Sequence, residues 1–387
     1  MSRALVLSSL LCPLVAGCFT YSPPPGERAA PKLRNISEAR ILDMKVHLFK
    51  QDGLCPGKEG KLYANANVQW PGHQPVPRSI GNDVDSLPPN GFDVKGPLVR
   101  GDANAHLFPS ADVLASVESG FEATIVYTPD PQRFTFHENF PPEYSCYTGW
   151  YADGAQGSSG SSGFSGNSGN VGQHGSHGES GGTGGRGNNG GRVTAYVTIV
   201  GTKFYPRLLA VFANDNFFLA PADQPLEFGA AGGQGGNGGG GGNGGNGGDQ
   251  PTKDVKRPDG SGGEKTVRVA NGSAGNGGDG GNGGSGGYGG NGGTVDVTYD
   301  SRFPELAQLI KTDVRGGAGG YGGSAGYGGR GGGTNAEEGA QQGQDGSDGA
   351  QGQDGGGGSS GRATVRSGNV GGKFERLRGI TVGGRKE

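Results

Sequence analysis

Glycine at every third position is the feature that most limits what this chain can fold into. In five tracts, 154 to 190, 229 to 247, 272 to 293, 317 to 332 and 343 to 361, glycine holds each third residue without a break in phase. It makes up 88 of the 387 residues, roughly three times ordinary usage. A flexible Gly/Ser linker has no reason to keep a three-residue phase, so something periodic is being packed. A left-handed helix of the polyproline-II type has three residues per turn, a rise of about 3.1 Å per residue and no internal hydrogen bonds. One edge of each such helix would be bare glycine, and its buried N–H and C=O groups must find partners on neighbouring helices. Collagen solves the same problem with abundant proline, but these tracts contain none. The expectation is a bundle of polyglycine-II helices within one chain.

Period-two segments punctuate the tracts. Val193, Ala195, Val197 and Ile199 alternate with Thr194, Tyr196 and Thr198, and Val295, Val297 and Tyr299 alternate with Thr294, Asp296 and Thr298. Val267 and Val269, and Ala363 and Val365, repeat the pattern, and Leu208 to Phe218 is more apolar. Such segments fit a sheet with one buried face. Ser301 to Lys311, with Leu306, Leu309 and Ile310 on one face and Pro304 near its start, is the one expected helix. Tract 272–293 leaves one strand and returns to another. Run straight it would end about 68 Å away, so it is expected to double back, and the phase break from Thr334 to Gln342 reads as a turn between two arms. Mostly Gly-Gly-x tracts suit helices surrounded by others, and the Gly-x-x tract 154–190 suits the rim.

Upstream, residues 37–153 have nearly ordinary composition. Met44 to Leu48, Phe121 to Tyr127 and Phe134 to Phe136 read as strands, separated by turn clusters such as Pro88-Pro89-Asn90-Gly91. Residues 18–36, with Pro23-Pro24-Pro25-Gly26, read as a tether. Residues 1–17 hold one positive charge, a short apolar run and small residues at the end, the pattern of a removable export signal. Four cysteines are present. Cys12 leaves with the signal and Cys18, just after it, would carry lipid, so Cys55 and Cys146 are the pair expected to form a disulfide in an oxidising compartment.

Val15-Ala16-Gly17-Cys18 resembles the lipobox of bacterial lipoproteins. The resemblance implies cleavage before Cys18 and acyl chains on that residue. Several chains anchor a protein that one chain would hold only reversibly. Phe19 stands where aspartate would retain a lipoprotein in the inner membrane, so the resemblance implies the outer membrane. Gly-Gly-Asp-Gly-Gly-Asn-Gly-Gly (277–284), leading through 289–293 into Thr-Val-Asp-Val-Thr-Tyr-Asp, is similar to the glycine-rich domain of the Obg family, and phage tail-tip adhesins with polyglycine helices look similar too. That implies helices projecting from a small sheet. No Gly-x-x-x-x-Gly-Lys-Ser/Thr loop is present, so GTPase chemistry does not carry over.

No arrangement of residues reads as a catalytic, metal or cofactor site. His174 and His177, about 9 Å apart on one edge of a threefold helix, are too distant for one zinc ion. Asp345, Asp348 and Asp354 share an edge but are too far apart for calcium. His137-Glu138 with Cys146 is the one place where a base and a nucleophile come close in sequence. Tyr288, Tyr321 and Tyr327 are the candidate binding residues, able to stack on sugars or a protein partner. The net charge of −3 carries no nucleic-acid footprint. The expected protein is mainly β: a small disulfide-bonded β-domain (37–153) followed by a β-sheet supporting a polyglycine-II bundle (154–387). The expected role is a non-enzymatic, lipid-anchored envelope protein whose partners are the membrane and a surface glycan or envelope protein. The alternative is a carbohydrate-acting hydrolase in 37–153 with the tracts as spacers.

Overall fold

The computed structural model describes residues 34–384. The chain is mainly β, and the export signal, the lipobox and Cys18 lie outside the described residues. The first eight strands are β1 (Arg40–Leu48), β2 (Gly60–Gln69), β3 (Val76–Ser79), β4 (Phe92–Lys95), β5 (Val99–Gly101), β6 (His106–Pro109), β7 (Phe121–Tyr127) and β8 (Thr135–Phe140). They make one sheet in the order β1-β2-β6-β5-β4-β7-β8, with β3 added on β2. Alternation drives it: Leu62, Ala64, Ala66 and Val68 of β2 are all buried, as are Phe121, Ala123, Ile125 and Tyr127 of β7, leaving the intervening residues to solvent. Helix α1 (Val113–Ser119) starts at Asp112, whose side chain accepts from the Ala115 N–H, and stops at Gly120, whose φ of 75° favours glycine. Cys55 and Cys146 form the expected disulfide.

The rest of the chain is built from six strands that feed or receive glycine-triplet segments. Strands β9 (Gly149–Tyr151), β13 (Leu226–Gly229) and β17 (Ile310–Asp313) form an all-parallel sheet in the order β17-β13-β9. Each runs into a segment heading away: I (154–170), III (230–248) and V (314–333). Segments II (173–190), IV (275–293) and VI (343–361) return and enter β10 (Arg192–Gly201), β16 (Thr294–Asp300) and β18 (Arg362–Gly368), which are also mutually parallel. Antiparallel β11 (Leu208–Ala213) and β12 (Asn216–Pro221), together with β19 (Thr381–Val382), complete that second sheet. Val193, Val197, Val295 and Val297 of one sheet and Leu226, Phe228 and Ile310 of the other share one buried core, with Leu306 between them. A further cluster joins the N-terminal domain to this base: Val113, Val117 and Tyr144 pack with Val200, Leu208, Leu219 and Phe374.

The six segments continue the two sheets as two layers, I-III-V and II-IV-VI. Their backbones are tied sideways by hydrogen bonds recurring every third residue: Gly157, Gly160 and Gly163 of I donate to Gln234, Asn237 and Gly240 of III, and Gly236, Gly239 and Gly242 of III donate to Gly185, Gly182 and Glu179 of II, at 2.8 Å throughout. Neighbours within a layer are parallel, and neighbours between layers are antiparallel. Strand register passes unbroken into the bundle. Arg192 pairs with Thr294 across β10 and β16, and the same separation of 102 links His174 to Asn276 far along segments II and IV.

Three sequence expectations are corrected. Tract 272–293 does not double back, because it starts from a hairpin at the far end of the bundle, β14 (Thr252–Pro258) with β15 (Glu264–Ala270), and needs only one crossing to reach β16. Val267 and Val269 therefore belong to that remote hairpin and not to the supporting sheet. The segment that turns back is the longest tract, 154–190, at Val171-Gly172, where Gly172 has a φ of 74°. The helix expected over 301–311 shrinks to α2 (Leu306–Leu309), since Ile310 to Asp313 gain a strand partner in β13. Residues 334–342 do form the turn between segments V and VI. Buried Gln250 ties the far ends together: its amide donates to the Gly272 and Gly339 carbonyls, and its oxygen accepts from Thr334 and from the Gln341 N–H.

Candidate functional site

The surface of the bundle follows from how many neighbours each segment has. Segments III and IV each touch four others and read Gly-Gly-x, so two of three edges are bare backbone. A Cβ on Gly241 would run into the Gly281 carbonyl, and one on Gly242 into that of Phe164. Segments I and VI, at opposite ends of the two layers, touch two others each and are chiefly Gly-x-x. The remaining edge of every segment faces solvent and carries the side chains.

These outward side chains do a job that spacing alone did not suggest. The N–H of an outward residue has no backbone carbonyl beside it, so it is left to water or to a side chain of a neighbouring segment. Oδ1 of Asn237, Asn243 and Asn246 in III accepts from the N–H of Tyr321, Tyr327 and Arg330 in V, at 3.0, 3.0 and 2.9 Å. In the other layer, Asn276, Asp279, Asn282 and Asn291 of IV accept from Gln344, Ser347, Ala350 and Ser359 of VI. His174 and His177, read as solvated edge residues, accept through Nδ1 from the N–H of Asn276 and Asp279. Asp345, Asp348 and Asp354 accept from the N–H of Gly331, Gly328 and Gly322 at 2.7, 2.8 and 2.7 Å. The signal was the recurrence of Asn at the x position of Gly-Gly-x in segments III and IV and of Asp at the last position of the Gly-x-x triplets in segment VI. Each asparagine spends its oxygen on the backbone, which leaves its Nδ2 donors for solvent or a ligand.

Tyr288, Tyr321 and Tyr327 are 66%, 73% and 71% exposed, and they do not form one surface. Tyr321 and Tyr327 stand in line on the outer face of I-III-V, beside Asn237 and Asn243. Tyr288 lies on the outer face of II-IV-VI, its ring over Gly356, where a Cβ would come within 3.1 Å of it. Phe164, also exposed, sits on segment I at the rim.

In the N-terminal domain, Cys146 is held in its disulfide. The His137 Nδ1 lies 3.2 Å from the Thr124 hydroxyl across the β7–β8 pair. Glu122 and Glu138 line one shallow pocket, but Glu138 is in register with Ala123, so the two carboxylates project from opposite faces of the pair. A cavity of about 660 Å³ lies where this domain meets the base and is lined by Glu143, Tyr144, Tyr205, Arg207 and Asp223 among others. Burial pushes the Tyr144 hydroxyl far above its ordinary value, against a hydrogen bond with Ser116 that lowers it. Arg207 is taken up by Glu305 at 2.6 Å. Among the described residues no group of three His, Cys, Asp or Glu is placed to hold a metal ion, and no helix is long and apolar enough to cross a membrane. Comparison of the chain with protein-family models, with curated proteins and with solved structures found no match.

Proposed function

We propose that the protein is a lipid-anchored component of the bacterial cell envelope, held in the outer membrane through acyl chains on Cys18, and that its six triplet segments are polyglycine-II helices serving as a rigid binding or adhesive surface. The observation that carries this reading is the lateral hydrogen-bond network. Bonds recur at every third residue, as a helix with three residues per turn requires, so the glycine tracts are an ordered platform and not a spacer. At about 3.1 Å per residue, a segment of 18 residues extends about 56 Å from the sheets. An arm of that length presents side chains well away from the anchor. Its outward residues are mainly amides, hydroxyls and tyrosines, which suits a surface glycan or an envelope protein as partner.

Two experiments test it. Labelling with a palmitate analogue, followed by separation of the membranes, is expected to give a labelled protein in the outer-membrane fraction and no label on Cys18→Ser. Sedimentation of the full-length protein in detergent with isolated envelopes is expected to show saturable retention. An unlabelled protein would refute the anchor, and a protein that stays in the supernatant would refute the binding role.

A further inference from the structure

The outer face of segments I-III-V repeats one local arrangement. The N–H of Tyr321 donates to Asn237, and the next N–H along the chain, Gly322, donates to Asp354. Six residues further, the N–H of Tyr327 donates to Asn243, and that of Gly328 to Asp348. Each tyrosine thus rises from the backbone with an asparagine of segment III fixed on one side and an aspartate of segment VI on the other. Both polar side chains are held through Oδ1, so Asn offers its Nδ2 donors and Asp its second oxygen as acceptor. A third set, Asn246, Arg330 and Asp345, follows with arginine in the tyrosine position.

In the triplet between the two tyrosines all three residue types differ. There Ser324 replaces tyrosine, Gly240 replaces asparagine, Gln351 replaces aspartate, and Ala325 stands where the flanking triplets have Gly322 and Gly328. Satisfying backbone N–H groups accounts for Asn and Asp, but it gives no reason for an exposed tyrosine to coincide with them. An aromatic face flanked by one donor and one acceptor is what a neutral sugar needs: the ring stacks on the C–H face of the pyranose, while the hydroxyls both accept and donate.

We propose that Asn237–Tyr321–Asp354 and Asn243–Tyr327–Asp348 are two copies of one subsite for an extended neutral glycan lying along segment V. The proposal rests on the binding role given above and names its ligand class. The copies are two turns apart, about 19 Å, on a rigid support. A single chain that engages both gains from effective concentration, so losing either copy removes most of the affinity.

The test is affinity electrophoresis of the full-length protein in detergent, in gels carrying a soluble β-glucan, a galactomannan, a dextran or, for contrast, polygalacturonate. Retardation by at least one neutral polymer is expected. It should weaken at least tenfold for Tyr321→Ala or Tyr327→Ala and vanish for the double variant. Asn237→Asp/Asn243→Asp should abolish it too: the oxygen that accepts from the backbone is kept, as Asp279 keeps it in the other layer, but the donors are lost. Because the tyrosines are exposed, unchanged melting of the variants separates loss of binding from loss of fold. Retardation by no neutral polymer, by polygalacturonate alone, or equally in the double variant would overturn the proposal. Envelope sedimentation that persists in the double variant would overturn the subsite but leave the envelope role standing, whereas a wild-type protein retained by neither would overturn both.

Discussion

Replacing Gly281 by alanine puts one methyl group into the middle of the bundle. Gly281 donates to the Gly242 carbonyl at 2.8 Å and accepts from the Gly326 N–H at 2.9 Å, while Glu179 beside it accepts from the Gly242 N–H at 2.8 Å. A Cβ at 281 would overlap the Glu179 carbonyl, so segments II and IV must part and all three bonds loosen. At about 1 kcal/mol net per bond, with about 1–3 kcal/mol for overpacking, the cost is about 4–6 kcal/mol. That is a large part of the 5–15 kcal/mol typical of a whole domain. Ser285, on the outward edge of the same segment, is the control, and Ser285→Ala should stay within about 0.5 kcal/mol of wild type. The assay is urea unfolding followed by Trp150 fluorescence in a Trp70→Phe background, because Trp150 stacks on Phe218 against the base core. A midpoint for Gly281→Ala that coincides with that of Ser285→Ala would refute the close-packed glycine edge.

Other consequences are smaller or lie elsewhere. Cys55→Ser/Cys146→Ser opens a loop of 91 residues, and calorimetry should show a loss of about 4–5 kcal/mol on the loop-entropy estimate. Asn243→Ala leaves the Tyr327 N–H without its acceptor and should cost about 1 kcal/mol in the urea assay; no change would show that water replaces the amide freely. Asp300 is buried, which pushes its carboxyl up, but hydrogen bonds from Arg302 and Thr198 outweigh this and hold it below the usual range. The hydrogen bonds of Arg315 hold Asp313 low as well. Both carboxyls are depressed in the folded protein, so their contribution is complete above about pH 4 and disappears as pH falls through the folded values. Melting temperature should therefore drop on acidification below about pH 4, less steeply for Asp300→Asn/Asp313→Asn, and equal slopes would refute the assignment.

How far the sequence reached depended on whether the information was periodic. The unbroken glycine phase marked which edges must be buried, and the contrast of Gly-Gly-x with Gly-x-x ranked segments III and IV as interior and the whole of 154–190 as rim; segment I does lie at the rim, but segment II is bonded to I, III and IV. Alternation in 193–199 and 294–299 marked the buried face of those strands, but not that Thr198, Val200 and Ala210 on the other face of the sheet are buried too, under the N-terminal domain. Connection was less legible. Whether tract 272–293 turns or runs straight depends on where β15 sits, and nothing local in Glu264 to Ala270 says that its strand pairs 60 Å from the others, at about 3.1 Å per residue. Ile310 and Lys311 read as the end of a helix because the strand partner of Ile310 to Asp313, Leu226 to Gly229, is remote in sequence. The asparagines were visible, but their work was not, since the N–H groups they satisfy lie 68 or 84 residues away. The two faces of the bundle were hidden for the same reason: Tyr288 and Tyr321 have the same phase relative to glycine, and only the layer each segment joins sends them to opposite sides.

Amide hydrogen exchange, resolved residue by residue along segment III, tests the central claim most directly. Gly238 and Gly239 donate to Tyr321 and Gly182, and Gly241 and Gly242 donate to Ser324 and Glu179, while the outward N–H groups of Asn237, Gly240 and Asn243 have no acceptor in the bundle. The account predicts two slow amides followed by one fast amide, repeating through 232–248. Uniform exchange at the rate of an unstructured chain, or protection without that three-residue rhythm, would contradict it.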